Sequence, residues 1–163
     1  MRITVALTII LSACSSAETE QQTPAAVVTP PAADSVTLDE FRQVQWIAGA
    51  WHGSGGSYPS FFEEYRFIDD STIQMRALSD STFSVATDSS RIEWRNGVVH
   101  SRGNDRGYIV IALSSDSIRF IREGASSGGH TFRRASADEW TATLHPDNSS
   151  GQPTVYVMRR IQR

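Results

Sequence analysis

At 163 residues, with 39% apolar and 20% charged side chains, the chain has room for one ordinary domain and short flanking segments. A formal net charge of −3 argues against nucleic acid as a partner, because such proteins present a basic face. All 15 basic residues are arginine and there is one cysteine, which excludes lysine Schiff-base chemistry, phosphate loops built on lysine and any intramolecular disulfide.

Met1–Arg2 gives a short positive start, Ile3–Leu11 an apolar run too short to span a bilayer, and Ser12–Ala13 the small residues of a cleavage site. Residues 1–13 therefore read as a signal peptide. Leu11-Ser12-Ala13-Cys14 resembles the lipobox of bacterial lipoproteins, which implies lipid on Cys14 and a membrane as partner. Ser15 stands where an aspartate would resemble an inner-membrane retention signal, so the expected location is the cell envelope, at the outer membrane facing the periplasm. Ser15–Ser35 is rich in Ser, Thr, Ala, Pro and Gln and has no aromatic residue, so it lacks the apolar surface to fold. Residues 14–36 read as a lipidated cysteine and disordered tether, with an r.m.s. span of about 25 Å.

The remaining residues, 37–163, carry the domain. Thr37-Leu38-Asp39-Glu40 matches a capping box, Val36 and Phe41 are spaced as a hydrophobic staple, and Leu38, Phe41, Val44 and Ile47 share a face before Gly49 stops the helix. From Trp51 onward the pattern alternates in twos. It predicts strands near 50–54, 61–68, 72–79, 83–87, 90–95, 98–102, 107–113, 117–123, 130–135, 139–144 and 154–161, with short turns at Asp69-Asp70, Asn96-Gly97, Ser114–Asp116 and Ser136–Asp138. A mainly β fold follows: an antiparallel up-and-down β-barrel of about ten strands with one short N-terminal helix, closure removing the edges a long meander would expose.

Alternation also selects the side chains that face inward. Phe61/Tyr65/Phe67, Ile73/Met75/Ala77, Ile92/Trp94, Ile118/Phe120, Phe132 and Trp140/Ala142/Leu144 mark apolar faces, and the same parity carries Glu63, His100, Arg102, Arg122 and His130 to the inside or its rim. The candidate ligand-binding set is Trp51, Glu63, Tyr65, His100, Arg102, Phe120, Arg122 and His130, although Trp51, between helix and first strand, also fits a plug of the barrel end. A buried Glu63 is expected to pair with Arg122 or Arg102, the cheapest way to keep a charge inside. Adjacent Glu63 and Glu64 point opposite ways on a strand and cannot form a catalytic carboxylate pair.

No set of residues assembles an enzyme. Gly124-Ala125-Ser126-Ser127-Gly128 matches G-x-S-x-G, but a strand rather than a helix is predicted after it, so it reads as a hairpin loop. Gly53–Gly56 lacks the lysine and the helix of a phosphate cradle and reads as a bend in the first strand. His52, His100, His130 and His145 show no metal-binding spacing. No catalytic residue, metal or cofactor is expected.

Trp46-Ile47-Ala48-Gly49-Ala50-Trp51-His52-Gly53, with Glu63-Glu64 ten residues on, resembles the opening of uncharacterised bacterial lipocalin-like domains. Gly129–Arg134, Asp138–Leu144 and the closing Arg159-Arg160 look like the C-terminal half of the same families, which implies a calycin-like barrel. Gly49-x-Trp51-x-Gly53-x-Gly55 followed by Tyr58-Pro59 is similar to the nitrobindin-like haem barrels, but that group places its proximal histidine in the last strand and Thr154–Arg160 has none. The expected function is a lipid-anchored cell-envelope barrel that binds a small apolar or amphipathic ligand. The alternatives are a structural or protein-interaction lipoprotein with a filled barrel, or a haem-binding barrel.

Overall fold

The computed structural model describes residues 35–56, 58–103, 107–148 and 150–162. The expected signal peptide, Cys14 and the expected tether up to residue 34 lie outside them.

Val36 already belongs to the fold: its N–H donates to the Gly97 carbonyl at 2.8 Å and its own carbonyl accepts from the Trp94 indole at 2.6 Å. The capping box forms as the sequence predicts. The Glu40 N–H donates to the Thr37 hydroxyl at 3.2 Å, and the Thr37 N–H donates to the Glu40 carboxylate at 2.7 Å, opening helix α1 (Leu38–Arg42). After Arg42 the helix tightens into a 3₁₀ segment, Gln43–Ile47. Three residues per turn keep Phe41, Val44 and Ile47 on one line, and all three are fully buried.

Ten strands follow: β1 (Gly49–Gly55), β2 (Tyr58–Asp69), β3 (Thr72–Leu78), β4 (Ala86–Arg95), β5 (Val98–Arg102), β6 (Gly107–Leu113), β7 (Ser117–Arg122), β8 (Gly129–Arg134), β9 (Glu139–His145) and β10 (Thr154–Arg160). Each pairs antiparallel with the next, and β10 closes onto β1, giving an up-and-down barrel without edges. The eleven predicted runs become ten strands because 83–87 and 90–95 are not separate. Phe83, at φ +58°, turns away before the strand starts and buries its ring against Phe62, outside the main core, while β4 runs unbroken from Ala86.

The predicted turns sit where expected. Asn96 and Gly97 both take positive φ, +50° and +84°, as a two-residue primed hairpin turn requires. The first strand bends through a register shift between Gly53 and Gly55. Gly53 has a second role: it lies opposite Phe61, and a Cβ there would come within 2.2 Å of that ring.

The up-and-down order sorts the connections into two ends. Turns β2–β3, β4–β5, β6–β7 and β8–β9 share one end with α1, and the other five hairpin connections share the opposite end. The helix covers the first end. Phe41 packs on Phe67 at 5.9 Å, Arg42 pairs with Asp70 at 2.7 Å, and Arg160 of β10 donates to the carbonyls of Ala48 and Trp46 at 2.9 and 3.3 Å.

Candidate functional site

Trp51, Trp46 and Trp140 form the plug beneath the helix. Trp51 is 1% exposed, donates its indole N–H to the Ile47 carbonyl at 2.7 Å, and lies edge-on to Trp140 at 5.8 Å with the Arg160 guanidinium 4.2 Å from its ring centre. Trp140 is shared. It touches Trp46 and Trp51 on the closed side, and Tyr65 at 5.8 Å and Phe132 at 4.8 Å on the other.

Above that layer the barrel is not filled. A cavity of about 630 Å³ extends from Tyr65, Phe132 and Trp140 toward the opposite end, within the size range of small-molecule sites. Phe61, Met75, Ile92, Tyr108, Ala142 and Met158 supply its walls. Tyr58 and Leu144 also line it and are 63% and 44% exposed, so they and the exposed Asp88 rim an open mouth.

Few polar groups interrupt this lining. Glu63 and Tyr65, two apart on β2, both face inward, while Glu64 between them points outward to Arg76 at 3.2 Å. The Tyr65 hydroxyl donates to the Glu63 carboxylate at 2.8 Å. Protein encloses Glu63 except where it meets the cavity, and this burial pushes its carboxyl above the usual range, the Tyr65 bond opposing only in part. Burial, reinforced by the Glu63 charge, drives the Tyr65 hydroxyl well up. His130 of β8 stacks on Phe120 at 4.4 Å and meets Tyr108 edge-on at 4.9 Å. Burial, with smaller contributions from the charges of Arg119 and His145, lowers His130 to about 4, so its imidazole is neutral at physiological pH.

Of the eight residues selected from the sequence, Glu63, Tyr65 and His130 line the cavity together. Trp51 belongs to the plug, and Phe120 is fully buried behind His130. The parity reading fails for β5. Val99 is buried and Ser101 lines the cavity, so His100 and Arg102 lie on the outer face, His100 with its Nδ1 3.0 Å from Glu123. Arg122 is half exposed and bonded to Asp147 at 2.6 Å. The expected Glu63–arginine pair therefore does not form; Tyr65 takes the role of partner. Tyr108 and Tyr156, not selected from the sequence, also line the cavity. The signal was present: each lies two residues from an inward apolar side chain, Val110 and Met158.

The other motifs resolve locally. Gly124–Gly128 is the β7–β8 hairpin connection, with Gly124 and Gly128 at positive φ and a strand following. His52 bonds Ser60 and His145 bonds Thr131, each at 2.8 Å, and among the described residues no three His, Cys, Asp or Glu side chains are placed to hold a metal ion.

No protein-family model matches the chain, and no curated protein does. Among solved structures it is similar to a redesigned β-barrel, at 11% identity over 74% of this chain and 96% of the other, with a TM-score of 0.38, a likeness too loose to carry an argument about function.

Proposed function

We propose that this protein is a lipid-anchored binding module of the cell envelope, holding a small apolar or amphipathic molecule inside its barrel. The observation that carries the reading is the cavity: about 630 Å³, aromatic-walled, plugged at the helix end and open at the other. Complete packing would have favoured a scaffold with a filled barrel. A cavity of this volume, lined by apolar side chains with a few converging polar groups, is the arrangement that buries a small molecule and orients it.

Native mass spectrometry of the purified protein tests the binding. The expected result is a co-purifying small molecule, or uptake of one equivalent of the neutral dye N-phenyl-1-naphthylamine. A ligand-free mass with no uptake contradicts it. The anchor is tested separately by Cys14→Ser, which is expected to move the protein from the membrane to the soluble fraction without changing its melting temperature. Retention in the membrane contradicts the anchor.

A further inference from the structure

We propose that the cavity selects an amphiphile with a protonated amine head group, seated against the Glu63 carboxylate with its apolar part running toward the mouth. This rests on the reading of the cavity as the binding site and names the chemistry of its occupant.

Glu63 is the acidic group set deepest in the cavity, directly beside the Tyr65 floor. Its Oε2 accepts the Tyr65 hydroxyl, and among the described residues its Oε1 has no hydrogen-bond partner. An enclosed carboxylate without a cation is costly, and proteins ordinarily neutralise one with arginine. Among the described residues no arginine lines this cavity. Arg122 is taken by Asp147, Arg76 by Glu64, and Arg119 donates to the carbonyls of Phe120, Gly128 and His130.

The other polar groups point the same way. His130 is neutral, so it gives an anion no positive charge to meet, and Ser90 and Ser101 carry no charge. A fatty-acid carboxylate entering here would meet the Glu63 carboxyl with no cation among the described lining residues. An ammonium group would gain a charge-assisted hydrogen bond to Glu63 and the neighbouring rings of Phe61 and Tyr156, whose faces attract cations. Depth sets the orientation. Tyr58 at the mouth and Glu63 are separated by on the order of 17 Å of β2, and by less in depth because barrel strands tilt, so the head group enters first and the chain runs past Phe61 toward the mouth.

The experiment measures displacement of N-phenyl-1-naphthylamine from the purified protein by dodecylammonium, dodecanol and dodecanoate, for the wild type and Glu63→Gln. Dodecylammonium is expected to bind the wild type at least about tenfold more tightly than dodecanoate. In Glu63→Gln its affinity is expected to fall about tenfold while that of dodecanol is retained, which shows that the cavity is intact. Dodecanoate binding as well as dodecylammonium, or an ammonium preference that survives Glu63→Gln, overturns the inference and leaves the binding module standing. Failure of the dye and all three chains to bind removes the binding module and this inference together.

Discussion

At the helix end of the barrel the large side chains are spent on one another: Trp51, Trp46 and Trp140 meet edge to face, and Arg160 ties β10 to the carbonyls of Trp46 and Ala48. At the opposite end Tyr58 and Leu144 stay exposed around an opening, and the groups behind them, Glu63 and His130, carry shifted pKa values. Both ends belong to the same ten-stranded cylinder. What separates them is that one has a helix and three tryptophans to fill it, whereas the described residues at the other belong to strand ends and hairpin connections. Stability is therefore expected to concentrate at the plug and recognition at the mouth.

Substitutions that act on one end only can break that division. Trp51→Ala has the largest expected effect, a loss of about 3–5 kcal/mol measured by urea unfolding, because it removes a buried ring and the cap hydrogen bond to Ile47. A loss under about 1 kcal/mol would mean that the plug is not what holds the barrel closed.

His130 comes next, and its effect depends on pH. Its folded-state value lies below the ordinary 6.5, so its contribution is full above that pH and is lost as the pH falls through about 4. His130→Phe is expected to remove that acid-side loss, on the order of a few kcal/mol, in urea midpoints compared across this window. Curves that stay parallel for the two proteins would show that the imidazole is not held neutral.

Thr37→Ala deletes the cap of α1 and is expected to cost about 1 kcal/mol while leaving dye affinity unchanged. Reduced dye binding would couple the two ends. Tyr58→Ser should do the reverse, shifting stability by no more than about 0.5 kcal/mol while weakening dye binding.

How legible each end was in the sequence follows from how local its chemistry is. The capping box and Asn96-Gly97 are decided by neighbouring residues, and both form as predicted. On β2 the alternation Phe61, Glu63, Tyr65 marks one face unambiguously, so the Glu63–Tyr65 neighbourhood could be anticipated. On β5 Val98 and Val99 are adjacent, the apolar side chains mark no face, and His100 and Arg102 were placed on the wrong side. That Phe83 is left out of β4 follows from its positive φ, which a phenylalanine rarely adopts. The cavity was the least legible feature. Its volume depends on how ten strands close around their inward side chains, a property of the whole cylinder rather than of any segment.

The most direct test of the central claim is a methyl NMR titration with N-phenyl-1-naphthylamine, following Met75 and Met158 in the cavity against Val44 and Ile47 beneath the helix. Saturable shifts at both methionines, with Val44 and Ile47 unmoved, are the predicted result. Unmoved methionines, or shifts confined to exposed outer residues such as Ile68 and Val85, would contradict it.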